Sequence, residues 1–293
     1  MNGIINVYKE KGYTSHDVVA VLRKIAGQKK IGHTGTLDPD ATGVLPVCLG
    51  RATKLCDLLT DRDKTYEAVL LLGKTTDTQD ISGAILKEQP TDHLNEAEVT
   101  KVIESFKGTY DQIPPMYSAL KVNGKKLYEL AREGKTVERK SRKVTIYQIH
   151  IKEIQLPRVR MEVTCSKGTY IRTLLEDIAA AMGQKGTMSA LRRTTAGVYT
   201  EADAHTLEEI QAAKDAGPEA LQALMLPVES VFASLPLLVA DERVEQHLYN
   251  GCPPSRSSAD GRYRVRNAEG QFLGLANITG GVLKVEKLFV ERN

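Results

Sequence analysis

Gly32-His33-Thr34-Gly35-Thr36-Leu37-Asp38-Pro39-Asp40-Ala41-Thr42-Gly43-Val44-Leu45-Pro46-Val47 is the stretch from which the rest of the chain is read. Its three glycines, three threonines and two prolines are too many breakers for a regular helix or strand. Leu37, Val44, Leu45 and Val47 make it too apolar for a solvated linker. It reads as an ordered loop, packed on a core and presenting a few polar side chains, where function tends to concentrate. Asp38 is the most constrained of these. Pro39 disfavours the helical region for it and pushes its backbone toward extended, and Gly35 permits close backbone approach. A carboxylate held this way can act as nucleophile, general base or helix cap. Asp-Pro is also a common N-cap followed by proline at N1, so spacing alone leaves both readings open. Asp40 has no such constraint. No Gly-Lys-Ser/Thr follows the glycines, which excludes a phosphate loop.

Upstream, residues 4 to 8 read as a strand, and Ser15 as the N-cap of a helix running to Ala26 and closed by Gly27. Downstream, Ala52 to Leu59 resembles a short helix. Thr65 to Leu72 reads as a strand with Tyr66, Ala68, Leu70 and Leu72 on one face. Gly73 to Asp80 is a polar loop, and Asn95 caps a helix that Gly108 closes. Strands are expected over Val144–Ile154 and Val159–Cys165. The stripe Ile171, Leu174, Leu175, Ile178, Ala179 and Met182 predicts a helix leaving at Gly183. Arg172 falls in the first turn of that helix, where a cation opposes the helix dipole by a few tenths to about 1 kcal/mol. A nearby carboxylate would offset this, and Asp38 is a candidate. Leu191 to Gly197 reads as a basic turn, and Thr206 with Glu209 as a capping box. From 236 to 293 the texture becomes β-rich, with turn signals at Asn250-Gly251, Glu269-Gly270 and Gly280-Gly281. There Tyr263 and Val265 face inward, and Arg262, Arg264 and Arg266 form a basic outer face.

At 293 residues, 41% hydrophobic and 26% charged, the chain has ordinary globular composition and room for one large domain plus a small one. No apolar run is long enough for a membrane span. The opening Met-Asn-Gly-Ile-Ile-Asn does not resemble a secretory signal, so the expected compartment is the cytoplasm. Cys48, Cys56, Cys165 and Cys252 are scattered, with no spacing that suits zinc, and are expected as buried free thiols. The net charge of +3 hides a gradient. Residues 113 to 145 carry nine basic and three acidic side chains, a balance of +6, which leaves the remainder at −3. A local basic patch of this kind fits a polyanion bound at one place. Its Pro114-Pro115 entry and internal Gly134 suggest an excursion from the core.

The chemistry available is Asp38, His33, two tyrosines at strand ends (Tyr66 and Tyr170) and Arg172. There is no metal-ligand cluster, no placeable Ser-His-Asp set and no dinucleotide fingerprint. Cofactor-free and metal-free chemistry on a ligand that tyrosines can stack against is the reading these residues favour. Single-stranded or looped RNA is the ligand whose bases splay onto aromatic rings.

Residues 32 to 50 resemble the signature of the TruB-type tRNA pseudouridine synthases. The likeness continues through Ala52-Thr53-Lys54, Asp63-Lys64-Thr65-Tyr66, Pro114 to Lys121, Tyr128 to Gly134, Ser166 to Arg172 and Leu191 to Thr194. The resemblance implies an α+β fold: a mixed, mainly antiparallel sheet flanked by helices over residues 1–230, with the basic insertion near 113–143 closing on RNA. Residues 236–293 would form a small PUA-like, β-rich domain. It also implies isomerisation of uridine 55 in the tRNA T loop, by a flipped base and a catalytic aspartate. Asp38, Tyr170 and Arg172 match the catalytic positions. His33, Tyr66, Tyr170, Leu191, Lys54 and Asp80 match substrate-binding ones. The partner implied is tRNA, through its T arm and acceptor arm. No membrane and no obligatory protein partner are expected, and the chain is expected to be a monomer. Lys9-Glu10-Lys11-Gly12 departs from the family's usual Lys-Pro before the glycine. A non-catalytic RNA-folding protein would use the same surfaces and form no product. A carbohydrate-active enzyme would need a second carboxylate that the central motif does not specify.

Overall fold

The computed structural model describes residues 1–122, 124–250 and 258–290. Cys252, the Gly251 half of one expected turn and the last three residues lie outside the described residues.

The chain opens with β1 (Gly3–Lys9) and α1 (Ser15–Ala26). Thr14, not Ser15, is the N-cap: its hydroxyl accepts from the Asp17 N–H and the Asp17 carboxylate reaches back to the Thr14 backbone. Gly27, at φ +61°, closes the helix in the left-handed region. The central stretch is less of a loop than its breakers suggest. It contains β2 (Ile31–His33) and β3 (Thr42–Leu49), so that only residues 34–41 are irregular. Along β3, Leu45, Val47 and Leu49 enter one core cluster and Val44 and Cys48 another. A strand buried on both faces is apolar without interruption. Pro46 is tolerated because its carbonyl does the pairing, accepting from the Thr34 N–H and Oγ1, each at 3.1 Å.

A 3-10 turn over Gly50–Leu55 leads into α2 (Cys56–Thr60) and β4 (Lys64–Leu72). The supposed polar loop at 73–80 contributes β5 (Lys74–Thr76), which pairs with β6 (Ile85–Glu88). Then come α3 (Glu96–Ser105), β7 (Gly108–Gln112), the small ribbon β8 (Lys121–Val122) with β9 (Lys125–Lys126), and α4 (Leu127–Arg132). β10 (Arg142–Gln155), β11 (Arg158–Cys165), α5 (Ile171–Ala181) and β12 (Gly186–Ala196) follow. β12 replaces the expected basic turn: Leu191 and Arg193 are buried two apart on one face, so tertiary contacts hold extended a run whose charge suggested a surface. β13 (Tyr199–Thr200), α6 (Leu207–Ala216) and α7 (Pro218–Ala223) complete this part, with the predicted Thr206–Glu209 capping box present.

The main sheet runs β1-β3-β12-β4-β11-β10-β7, with β2 paired to β3 and β13 to β12. It is antiparallel except between β3 and β12. Val18, Leu22, Leu174, Leu175, Ile178 and Ile210 cover one face from α1, α5 and α6. Each such buried side chain contributes roughly 1.5–3 kcal/mol. The C-terminal β domain consists of β14 (Leu237–Val239), α8 (Glu242–Asn250), β15 (Gly261–Arg266), β16 (Phe272–Thr279) and β17 (Val282–Leu288), its sheet ordered β14-β15-β16-β17. The sequence reading missed α8. Phe232, Phe272 and Phe289, three of the chain's four phenylalanines, meet where this domain packs on the second core cluster. The expected basic outer face of β15 is neutralised. Arg264 and Arg266 share Glu229 at 2.6 and 2.8 Å, and Arg262 pairs with Glu286 at 2.5 Å. Cys48 and Cys165 are buried free thiols, and Cys56 is half-buried. No helix among the described residues is long and apolar enough to cross a membrane.

Candidate active site

The loop 34–41 is held at several points. Leu37 is buried and its N–H donates to Ser15 Oγ at 2.9 Å. The Ala41 N–H returns to the Asp38 carbonyl at 3.1 Å, closing a four-residue turn. No helix follows, so Asp38 is not a cap. The Pro39 carbonyl accepts from the Gly12 N–H at 2.9 Å and from Lys9 Nζ at 3.0 Å. Lys9 also donates to the Tyr13 and Glu10 carbonyls, at 2.6 and 3.0 Å. Burial pushes its ammonium down to about 8.

Asp38 meets Arg172 in a fork. Nε lies 3.0 Å from Oδ2, and Nη2 donates to Oδ1 at 3.1 Å. Such bidentate pairs fix the carboxylate plane as well as its charge. The α5 stripe puts Arg172 inward in the first turn, where it is 5% exposed. The carboxylate opposite it is the compensation that the helix dipole requires. The same guanidinium donates to the Thr78 carbonyl at 2.8 Å and the Tyr117 carbonyl at 2.9 Å, and lies 3.6 Å from Asp80. It thereby ties together the Asp38 loop, the β5 turn and the foot of the basic insertion. Burial pushes the Asp38 carboxyl up, Arg172 opposes this, and the Asp80 charge adds to it.

Around Asp38 lies a cavity of about 280 Å³, lined among others by Tyr66, Tyr170, Arg172, Leu191 and Arg193. That is close to the lower end of ordinary ligand cavities and suits one flat ring. Tyr66 comes from β4 and Leu191 from β12, neighbours in the sheet. Tyr170 precedes α5, with Gln112 gripping its backbone N–H at 2.8 Å and its carbonyl at 3.1 Å. The Arg142 guanidinium sits 5.2 Å from the Tyr170 ring centroid. Asp80 lines an adjoining cavity of about 530 Å³ together with Asp38 and Leu191. A third cavity, of about 460 Å³, runs between the loop and the insertion, with His16 and Leu37 on one side and Tyr117, Lys126, Tyr128 and Arg132 on the other.

Five expected residues therefore converge: Asp38, Tyr66, Tyr170, Arg172 and Leu191. His33 stands outside the lining of that cavity, on β2, edge-on to His16 at 5.3 Å. Burial pushes its imidazole down to about 4, which keeps it neutral. Lys54 is not brought to the cavity. Its ammonium donates to the Leu288 carbonyl at 2.7 Å, and Lys287 donates to the Lys54 carbonyl at 2.5 Å, so it joins the 3-10 turn to the C-terminal domain. The sequence reading missed Lys9, Ser15, Gln112 and Arg193 as supports of the site. Of these only Arg193 carried a signal, being two residues from Leu191 and so on the same face of any strand.

The Asp80 charge beside Asp38 makes a pH prediction. Burial raises the Asp38 carboxyl, so an activity that needs its carboxylate should show an acid limb of kcat/KM above the ordinary carboxylate range. Asp80→Asn removes a charge that disfavours the ionised form and should move the limb to lower pH. A pH–rate profile in which the limb stays put or rises would contradict this coupling.

Residues 23–171 match the TruB family pseudouridylate synthase N-terminal domain, and residues 172–233 the tRNA pseudouridylate synthase B C-terminal domain. The chain is 44% identical over 299 residues to the tRNA pseudouridine synthase B of Clostridium perfringens strain ATCC 13124, covering 99% of this chain and all of that one. It is 54% identical over 259 residues to that of Lachnoclostridium phytofermentans, 86% of this chain and 83% of that one. Among solved structures, a chain of a Cbf5-Nop10-Gar1 complex aligns with TM-score 0.75 at 26% identity, over 98% of this chain and 85% of that one. A chain of an H/ACA ribonucleoprotein bound to a substrate RNA containing 2′-deoxyuridine aligns with TM-score 0.74 at 25% identity, over 99% and 86%. Two family domains in tandem and full-length relatives at this identity have one reading: the chain belongs to the TruB family of pseudouridylate synthases.

Proposed function

We propose that this tRNA pseudouridine synthase acts on uridine 55 of the T loop, with Asp38 as its catalytic aspartate. The observation that carries the reading is the Asp38 carboxylate, forked by a buried Arg172, inside a cavity walled by two tyrosines. The isomerisation breaks C1′–N1, forms C1′–C5, removes the C5 proton and returns a proton to N1, with nothing gained or lost overall. A uridine stacked in a loop cannot present its glycosidic bond to Asp38 inside a cavity walled by two tyrosines, so the base is flipped out of the stack. Tyr66 stacks on the uracil and Leu191 closes the pocket beside it. Asp38 acts at the glycosidic bond, as a nucleophile or by assisting its cleavage. Tyr170 takes the proton from C5, and Arg172 holds Asp38 in plane. Asp80 sets the charge around that pair, and neutral His33 supports the flipped-out conformation of the RNA. Lys54 we place at the domain seam, outside the uridine pocket.

The segment 113–143 closes on the T arm, and the C-terminal domain, read as PUA-like, meets the acceptor arm. Lys125, Lys140 and Lys143 are exposed on the insertion, Lys125 facing Glu133 at 3.5 Å. Replacing these three by Ala should weaken T-arm binding and flatten the plot of log affinity against log salt, by roughly 0.7–0.9 for each phosphate no longer neutralised. An unchanged slope would remove the insertion from the RNA interface.

The substrate assignment is tested with a T-arm stem-loop carrying tritium at C5 of uridine 55 alone. One tritium released per pseudouridine formed is the expected result. Binding without release would favour the RNA-folding reading.

A further inference from the structure

Arg193 stands in the cavity wall and takes no part in the reaction drawn from Asp38, Tyr66, Tyr170 and Arg172. It is 1% exposed. Among the described residues its hydrogen-bond partners are neutral: Nε donates to the Val44 carbonyl at 2.7 Å and Nη2 to the Gly35 carbonyl at 3.3 Å; its charge also lies beside the Tyr66 hydroxyl, where it favours the ionised form. A guanidinium without a carboxylate partner is costly to bury, and an apolar residue would pack there with a smaller penalty. The position of its partners supplies a reason for it. Gly35 lies near the start of the loop that carries Asp38, and Val44 lies in β3 just beyond its end. Tyr66 is on the facing strand, directly opposite Arg193 in the β12–β4 register. Gly43 is opposite Arg193 on the other side, at φ +102°, where any Cβ would run into the Arg193 carbonyl. One side chain thus binds the aspartate loop region at two points and lies against the aromatic wall.

We propose that Arg193 is a positioning residue of the isomerisation, which fixes the Asp38 loop and the Tyr66 ring at one separation by clamping both. The proposal rests on the assignment of Asp38 and Tyr66 to the uridine pocket. Misplacing a reacting group by about 1 Å costs on the order of 100-fold in rate, so the clamp acts on kcat and leaves tRNA binding, made elsewhere, alone.

The test is a double-mutant cycle with the full chain and a T-arm stem-loop, using Arg193→Lys, which keeps the charge and loses the fork, and Tyr66→Phe, which keeps the ring and loses the hydroxyl. Arg193→Lys should lower kcat by about 10- to 100-fold with KM within about twofold. In the Tyr66→Phe background the same change should cost several-fold less, because the link it severs is already gone. Fully multiplicative losses, or a raised KM at unchanged kcat, would overturn the proposal. A second measurement needs neither substrate nor activity. The ring ¹³Cζ resonance of Tyr66, assigned by its absence in Tyr66→Phe, should shift in Arg193→Lys, and an unmoved resonance overturns the clamp. Should the wild type form no pseudouridine, the uridine assignment fails, and the resonance still decides whether Arg193 holds Tyr66.

Discussion

Asp38→Asn leaves a folded protein that binds the T arm and forms no pseudouridine. Asparagine has the same shape, and its Oδ1 can still accept from Arg172 Nη2, so the loop keeps its anchors at Ser15, Lys9 and Gly12. The substitution removes the charge and one arm of the fork, a stability change of about 1–3 kcal/mol. It also removes the carboxylate that, among the described residues, alone lines the tyrosine-walled cavity. The expected drop in kcat is about 10⁴- to 10⁶-fold, the scale on which removal of a reacting group acts. Single-turnover assays beside a binding isotherm measure both halves. Retained turnover would take Asp38 out of the chemistry, whereas abolished binding would make its role one of RNA docking.

Arg172→Met should damage both stability and rate. The guanidinium is almost fully buried and serves Asp38, the Thr78 carbonyl and the Tyr117 carbonyl together. Removing one member of a buried ion pair strands the other and costs about 3–5 kcal/mol; the Asp38 side chain is 33% exposed, which puts the expected loss at the low end. Without the fork the Asp38 carboxyl rises further, because burial and the Asp80 charge are then opposed by Lys9 alone. The acid limb of kcat/KM should accordingly move to higher pH, opposite in sign to Asp80→Asn, with kcat at neutral pH down by about 10²- to 10³-fold. Arg172→Lys keeps a charge without the fork and should fall between. Denaturant titration and pH–rate profiles of both variants are the measurements. A methionine variant with unchanged stability and an unmoved limb would mean that the pair seen in the structure does not matter in solution.

Where local pattern and tertiary demand agreed, the fold was legible in the sequence. The alternation of Tyr66, Ala68, Leu70 and Leu72, the stripe of α5 and the box at Thr206 each describe a single element burying a single face. The contradiction of a cation in the first turn of α5 was more informative than any pattern, because its resolution named Asp38 as a neighbour 134 residues away in sequence. Failures came where neighbours overrode local signals. Thr42–Leu49 looked broken because it contains Gly43 and Pro46. Gly43 is there to let Arg193 approach, and Pro46 sits where only its carbonyl is used. Leu191 to Gly197 reads as a basic turn because of Arg192 and Arg193, yet Arg192 finds Glu67 and Glu201 and Arg193 goes inward. Lys54 resembled a site residue by its neighbours in sequence, and only the packing of the C-terminal domain placed it at the seam. The insertion's docking on Arg172 runs through the Tyr117 carbonyl, a backbone interaction that no side-chain pattern encodes.

The central claim is that this cavity isomerises one uridine of tRNA through Asp38. Its most direct measurement is a position-resolved map of pseudouridine in an unmodified tRNA transcript incubated with the purified protein and a chelator. Product at position 55, absent with Asp38→Asn, is the result predicted. Product at another position, product that needs an added metal or cofactor, or equal product from the asparagine variant would contradict it.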